Sequence, residues 1–166
     1  MLSCGAPQVP ERVAQVVEER KKSEKRLVDI EIELAQHIAR DLVAKITSED
    51  RAIFKYHLHR IDDSNNALGF LSSIAFAVTD MVSTSKNSKP YVVVFSSSPS
   101  AQTTNSVSTV LLLGSDDAKV KVVGESLKAK LGVKGGGKGP RWSGKFVGVW
   151  KESRENAGVV EVLNNI

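Results

Sequence analysis

Several residue types are scarce in this chain of 166 residues, and each scarcity excludes a class of protein. Cys4 is the only cysteine, so neither an internal disulfide framework nor a thiolate metal cluster is available. No apolar run approaches the roughly 20 residues that span a bilayer, and no basic start followed by an apolar run marks a signal peptide. A soluble cytoplasmic protein in a reducing compartment is therefore expected.

The residues that carry most enzyme chemistry are also scarce. His37, His57 and His59 are the only histidines, and no H-x-x-x-H or C-x-x-x-H pair occurs, so no zinc site is expected within this chain. His57 is interpreted as a sheet-surface residue. No G-x-S-x-G elbow accompanies the serines. The segment "GPRWSGKF" matches G-x-x-x-x-G-K, but Phe146 stands where a nucleotide-binding loop needs Ser or Thr. These patterns predict neither enzyme activity nor a cofactor.

Basic residues, by contrast, are concentrated toward the C-terminal end. Between Lys119 and Arg154, ten Lys and Arg stand against two acids, which gives this segment +8, whereas the rest of the chain carries −4. Such an uneven distribution of charge along the chain predicts an anionic partner for this segment. Solvated lysines on an ordinary surface are the alternative.

Hydrophobic spacing divides the chain into a long helical arm, residues 1–47, and a second domain, residues 48–166. From Val13 to about Lys45 no Gly or Pro interrupts a broken heptad pattern, which predicts one long helix with coiled-coil character. The elements predicted after it are a strand at "AIFKYHLH", a helix over 67–82, strands at "YVVVF" and "TVLLLGS", a helix to about residue 131, a glycine-rich loop, a strand at "KFVGVW" and a helix over 153–163. This order predicts an α/β (α+β) fold, a single mixed sheet flanked by helices.

Three polar stretches are assigned to connections between these elements. Asp62 and Asp63 precede the second helix, where N-terminal capping accounts for them. Ser115 or Asp116 is predicted to cap the next helix. The Ser/Thr-rich stretch 96–108 is interpreted as a tolerated surface loop.

The stretch "GVKGGGKGPRWSGKF", residues 132–146, combines glycines, positive charge and one indole ring. Its basic side chains could each neutralise a phosphate, and the N–H groups of its glycines could approach a sugar–phosphate chain closely. Trp142 could stack on a nucleobase, or could instead pack on the sheet beside a disordered hairpin. The predicted nucleic-acid contacts are Lys134, Gly135, Gly136, Gly137, Lys138, Arg141, Trp142 and Lys145.

Three segments in this order, "LVDIEIELAQHIARDL", "YHLHRIDDSNNALGFLSSIA" and "LGVKGGGKGPRWSGKF", together resemble the DHH-associated domain. That domain closes the long form of alanyl-tRNA editing proteins (AlaX type) and the C-terminus of alanyl-tRNA synthetases. His59, Arg60 and Asp63 match its strand-to-helix junction, residues 135–144 match its glycine-rich signature, and "LSCGAPQVPERV" is similar to the lead into its helical arm. The lysine-rich loop is closer to eukaryotic free-standing editing proteins than to synthetases, which usually carry an Asp and an Ala-Gln pair after the glycines.

The resemblance implies a tRNA-binding accessory domain, with tRNA-Ala as its partner and Lys138, Arg141, Trp142 and Lys145 as its contacts. Zinc is expected only on the family's separate editing domain, whose motifs this sequence lacks, so the chain resembles an excised C-terminal part. Two alternatives stay open. One is an oligomerisation module that forms a homodimer through the helical arm, and the other is an enzyme related to phosphodiesterases, which DHH-associated domains also accompany.

Overall fold

The structure, a computed structural model, describes residues 9–50, 52–64, 66–85 and 89–166. Cys4 and most of the opening segment lie outside the described residues. In chain order the elements are α1 (Val9–Ser48), β1 (Phe54–Ile61), α2 (Ala67–Thr84), β2 (Tyr91–Ser98), β3 (Val107–Gly114), α3 (Asp117–Leu131), β4 (Lys134–Lys138), β5 (Arg141–Val147), a π-helical turn (Glu152–Asn156) and α4 (Ala157–Asn164).

The described strands form one five-stranded sheet in the order β1-β2-β3-β5-β4. β1 and β2 are parallel, with α2 as the crossover between them, whereas every other neighbouring pair is antiparallel. The predicted fold, a single mixed sheet flanked by helices and preceded by a long helix, is therefore confirmed.

Alternating side chains give this sheet two buried faces. The first, which we call the α2 face, includes Phe54, Val93 and Leu111, and it packs against α2 and the last turns of α1. The second, the α3 face, includes Val94 and Leu112, and it packs against α3 and α4. β2 is buried along its whole length because it lies between helices on both faces.

α2 is the described helix whose length and apolar composition would allow it to span a membrane. Its inward side chains pack in the core of the α2 face, as in the core helix of a globular domain. These buried residues are Phe70, Leu71, Ile74, Ala75, Val78 and Val82.

The chain divides into two compact units, the first ending at Leu34 and the second running from Ala35 to Ile166. The first unit exposes apolar side chains of α1 such as Leu27 and Ile30. The residues of α1 that are buried all belong to the second unit, and they are Ala35, Ala39, Leu42 and Ile46. The expected boundary between residues 47 and 48 stays a prediction.

Local chemistry sets the ends of α3 as the sequence predicts. Asp116 is the N-cap, and its carboxylate accepts from the backbone N–H groups of Ala118 at 2.8 Å and Lys119 at 3.3 Å. Gly132 ends the helix with φ of 69°, a left-handed conformation that glycine adopts without strain. The predicted helix to residue 131 is confirmed.

Two polar stretches differ from prediction. The expected loop 96–108 is shorter, because its first three residues belong to β2 and its last two to β3. The expected capping by Asp62 and Asp63 is wrong, since the N-cap of α2 is Asn66 and makes no side-chain capping bond. Asp62 instead accepts from the Ser64 N–H at 2.8 Å, and Asp63 accepts from Ser100.

Candidate nucleic-acid interface

The glycine-rich segment forms the outer hairpin of the sheet, β4 and β5, and is not the loop that the sequence predicts. Gly139, the first residue of its two-residue turn, has φ of 70°, the positive value that tight hairpin turns use. A Cβ at Gly135 or Gly137 would collide with the backbone of β5, whereas a Cβ at Gly136 would meet no atom within 4 Å. Two of the glycines therefore permit the close strand pairing.

The predicted contact residues are divided between the two sides of this hairpin. Alternate residues of each strand share a face, and the cross-strand register decides which residues lie together. The side that continues the α2 face carries Lys134, Gly136, Lys138, Arg141 and Lys145, and the side that continues the α3 face carries Gly135, Gly137 and Trp142. The structure thus brings the charged members together and separates Trp142 from them.

Like charges oppose each other on the first of these sides. Lys134 is paired with Lys145, and Lys138 with Arg141, across the two antiparallel strands. Directly opposed like charges destabilise a sheet. Within the described ranges, no carboxylate forms an ion pair with any of the three lysines, all of which are exposed. Lys134, Lys138 and Lys145 form a surface of uncompensated positive charge, which we call the basic face.

Arg141 is held more firmly than these lysines. Its guanidinium carbon lies 3.8 Å from the centroid of the Phe76 ring, and its Nη2 donates to Thr79 Oγ1 at 3.3 Å. Both partners belong to α2, so the guanidinium ties the hairpin to that helix by a cation–π contact and a hydrogen bond. The predicted phosphate contact of Arg141 stays a prediction, since the guanidinium has further N–H donors.

Trp142 lies in the core of the α3 face with only 4% of its surface exposed. Gly124 of α3 makes room for the ring, because a Cβ there would lie 2.9 Å from the indole Cδ1 and Nε1. Of the two roles left open by the sequence, the structure shows packing on the sheet. The indole cannot stack on a base unless this core opens.

A groove of about 370 Å³ runs between α3 and β4. Lys121, Lys128 and Lys138 line it together with Asp117 and Glu125. Lys128 donates to Glu125 at 2.7 Å, so part of the positive charge expected from α3 is neutralised there. The groove is therefore less positive than the basic face.

A polar cluster on the α3 face of β1 and β2 was missed by sequence reasoning. Ser96 Oγ lies 2.8 Å from both His57 Nε2 and His59 Nδ1, and Ser98 Oγ lies 3.2 Å from His59 Nε2. A hydroxyl has one proton, so Ser96 donates to one ring and accepts from the other. The His59 ring also stacks on Trp150 with centroids 5.3 Å apart.

The electrostatics of this cluster favour neutral rings. Burial lowers the pKa of His57 to about 4, and the neighbouring His59 contributes in the same direction. Burial also lowers the pKa of His59, against a smaller opposite effect of Glu152. Ser96 is fully buried and its hydroxyl is engaged by both rings, so it is not free to contact a substrate. The alternating histidines would have indicated this cluster only if the serines had been placed in a strand.

The described residues contain no group of three or more His, Cys, Asp or Glu side chains that could hold a metal ion. No protein-family model matches the chain, and no curated protein matches it in sequence.

Among solved structures, the chain is similar to the C-Ala domain of the alanyl-tRNA synthetase from Aquifex aeolicus, with a TM-score of 0.40 and 14% identity over 69% of this chain and 92% of that one. It is also similar to the catalytic domain of the histidine kinase ThkA, with a TM-score of 0.22 and 9% identity over 73% of this chain and 92% of that one. Both likenesses are too distant to carry an argument about function.

Proposed function

We propose that this chain is an accessory module that holds RNA, and tRNA in particular, on its basic face. The observation that supports this most is the pairing of Lys134 with Lys145 in a hairpin that supplies no compensating carboxylate. Opposed lysines cost the free protein stability, and phosphates bound between them would replace repulsion with attraction. Phosphate contacts of this kind position a nucleic acid without reading its sequence.

The choice of tRNA among nucleic acids rests on the sequence resemblance to the DHH-associated domain. In that family the deacylase chemistry belongs to a zinc-bearing editing domain, and this sequence contains neither of the two ligand motifs. We therefore assign the chain an accessory, non-catalytic role in an alanyl-tRNA editing protein or an alanyl-tRNA synthetase, with tRNA-Ala as its ligand.

The test is binding of the whole chain to labelled tRNA-Ala across a salt series. The variant carries Lys134→Ala, Lys138→Ala and Lys145→Ala together. We expect weaker binding at every salt concentration, and a slope of log affinity against log salt that is smaller by about two to three, since each lost phosphate contact removes a little under one.

The matched control removes the same charge from α1, through Lys21→Ala, Lys22→Ala and Lys25→Ala, all of which are exposed. This control should keep the slope of the wild-type chain. Equal losses in both variants would mean that net charge alone drives binding, and no binding of the wild-type chain at low salt would refute the proposal.

Self-association through α1 is a second candidate, favoured by its exposed apolar side chains. Leu27 is 61% exposed and Ile30 is 59% exposed, and they occupy the two heptad positions of a coiled-coil seam. A molar mass of the wild-type chain that rises with protein concentration would support self-association. The double variant Leu27→Glu, Ile30→Glu should keep the mass of a monomer at the same concentrations. This measurement is independent of the RNA-binding test because the basic face is untouched.

A further inference from the structure

A second polar site lies at the carboxyl ends of the parallel strands β1 and β2, beside the first turn of α2. It is a cavity of about 410 Å³. Its lining is predominantly polar, with hydroxyls, carboxylates, an amide and one ammonium group. The polar lining residues are Asp62, Asp63, Ser64, Asn66, Ser97, Ser98, Thr109 and Lys145. Ligands of open α/β sheets bind at this end of the strands.

Two buried polar atoms of this lining have no hydrogen-bond partner within the described part of the chain. They are Ser97 Oγ and Asp62 Oδ2. Ser97 is 2% exposed, and the side chain of Asp62 is 6% exposed. Arg60 Nε forms an ion pair with Asp62 Oδ2 at 3.6 Å, a distance that is too long for a hydrogen bond. Leaving such atoms unpaired costs about 1–3 kcal/mol each, and unlike Ser108 Oγ, another buried unpaired atom of the described residues, these two belong to the lining of a cavity where a ligand could supply their partners.

The first turn of α2 adds donors to the same cavity. The N-cap Asn66 makes no side-chain capping bond, and the N–H groups of a first helical turn have no partner inside the helix. Asp63, the other carboxylate of the lining, is already engaged, because it accepts from the Ser100 N–H at 2.8 Å and from Ser100 Oγ at 2.7 Å. Asp62 Oδ2, which is ion-paired with Arg60 but accepts no hydrogen bond within the described residues, is thus the carboxylate oxygen that remains for a donor on a ligand.

Lys145 joins this cavity to the basic face. It lines the cavity and is also one of the three lysines of the basic face. The strand register aligns it with Lys134 on one side and with Thr109 on the other, and Thr109 is aligned with Ser97. One polar row of the sheet therefore runs from the basic face into the cavity. A ligand that follows this row meets cations first and then a carboxylate oxygen and a hydroxyl that make no hydrogen bond within the described residues.

The order of these groups in space restricts the chemical class of the ligand. A free anion suits the lysines but has no proton to donate to Asp62 Oδ2, and a simple cation would be repelled by the lysines and by Arg60, which is paired with Asp62. A sugar–phosphate chain presents phosphates to the lysines and neutral hydroxyl donors to the carboxylate. Of the two nucleic acids, only RNA has the 2′-hydroxyl that can donate such a bond.

We propose that the cavity receives a ribose of RNA bound on the basic face, with its 2′-hydroxyl donating to Asp62 Oδ2 beside Ser97 Oγ. The proposal rests on the RNA-binding function proposed above and adds to it a means of distinguishing RNA from DNA. The basic face supplies affinity, and the cavity supplies the choice of sugar.

The test compares three short single strands of one sequence: RNA, DNA and 2′-O-methyl RNA. The wild-type chain should bind RNA about five- to tenfold more tightly than the other two, which is the size of one additional hydrogen bond. Asp62→Asn keeps the Oδ1 that accepts from Ser64 but replaces the free acceptor with a donor. We expect this variant to bind RNA and DNA within about twofold of each other.

Ser97→Ala is the second variant, and Ser108→Ala is its matched control. Both serines are fully or almost fully buried, and neither hydroxyl has a partner among the residues that the structure describes. Ser108, however, is aligned with Phe146 on the α3 face and does not line the cavity. The preference for RNA should shrink in Ser97→Ala and stay unchanged in Ser108→Ala. An RNA preference unaltered by both Asp62→Asn and Ser97→Ala would overturn the ribose site, even with RNA binding intact. Absence of binding to all three strands would also overturn the ribose site, and the proposed function itself would be refuted only if tRNA-Ala failed to bind as well.

Discussion

Ser96 and Ser97 are neighbours in β2 and both are almost completely buried, yet their hydroxyls are in opposite situations. Ser96 Oγ contacts two histidine rings on the α3 face, each at 2.8 Å. Ser97 Oγ, on the α2 face, has no partner in the described ranges and lines a cavity. Two successive serines of one buried strand therefore differ. The first makes hydrogen bonds to two side chains, and the second makes none within the described residues.

This difference separates structural polarity from functional polarity. A buried polar network whose members are paired fixes the relative positions of its strands, whereas an unpaired buried group is retained at a cost in stability. The hydrogen bonds of the histidine cluster are made between residues of the folded chain itself, so a structural role explains these polar residues. Asp62 Oδ2 and Ser97 Oγ have no such hydrogen bonds in the described ranges and, unlike the equally unpaired Ser108 Oγ, they line a cavity that a ligand could enter.

Acidification should disrupt the completed network, with the largest effect of the changes considered. The pKa of His57 is about 4 in the folded chain and near 6.5 in the unfolded chain, so the unfolded state binds more protons between these values. The free energy of unfolding should therefore fall as the pH is lowered from 6.5 to 4, by about 2–3 kcal/mol in all. Chemical denaturation at a series of pH values measures this.

His57→Gln tests the assignment of that effect. The amide can still hydrogen-bond to Ser96 but does not titrate, so the fall in stability over this window should be much smaller. His59 faces the same hydroxyl, and Glu152 opposes the lowering of its pKa, so a residual slope from His59 is expected. A full slope in His57→Gln would assign the effect to another group.

Ser96→Ala should have the next largest effect. The substitution removes one hydroxyl but takes a hydrogen-bond partner from two rings, at His57 Nε2 and at His59 Nδ1, whereas His59 Nε2 keeps its contact with Ser98 Oγ. We expect a loss of about 2 kcal/mol in the free energy of unfolding near neutral pH. A loss below about 0.5 kcal/mol would show that the network does not hold β1 to β2.

The elements that the sequence predicts correctly are those set by local chemistry. Asp116 and Gly132 delimit α3 through capping and a left-handed backbone, and both signals are visible within a few residues. The long helix α1 and the alternation in β1 follow from hydrophobic periodicity in the same way.

The incorrect predictions depend on partners that are distant in sequence. The sequence assigns Ser96–Ser98 to a loop because serine has little strand preference, but β1 pairs with all three residues and β3 pairs with Ser96 and Ser97. The histidines of β1 also bond to the hydroxyls of Ser96 and Ser98. The glycines of β4 are strand residues because β5 approaches their bare backbone. The burial of Trp142, one of the two roles that the sequence leaves open, likewise depends on a distant residue, because Gly124 on another element leaves room for its ring. No local pattern contains these contacts.

Of the candidate site, the sequence located the positive charge but not its arrangement. Lys134, Lys138 and Lys145 were named as contacts, and the structure places them on one face. Asp62 was assigned to helix capping, and Ser97 to a loop, so the cavity they share was not predicted. Its recognition required the cross-strand register that aligns Ser97 with Thr109 and Lys145.

The smallest effect on stability should come from Ser97→Ala, which tests directly whether the hydroxyls of Ser96 and Ser97 differ. Because the Ser97 hydroxyl has no partner in the described residues, removing it should leave the free energy of unfolding within about 0.5 kcal/mol of wild type or raise it. Ser108→Ala should behave alike in the absence of RNA.

Once RNA is added, the stabilities of the two variants should differ, because a ligand stabilises a folded chain more the more tightly it binds. The RNA-dependent rise in thermal midpoint should be smaller for Ser97→Ala, whereas Ser108→Ala should keep the full rise. A loss of 1 kcal/mol or more in Ser97→Ala without RNA, roughly the value of one hydrogen bond, would mean that water already satisfies the hydroxyl, and the contrast between the two serines would then disappear.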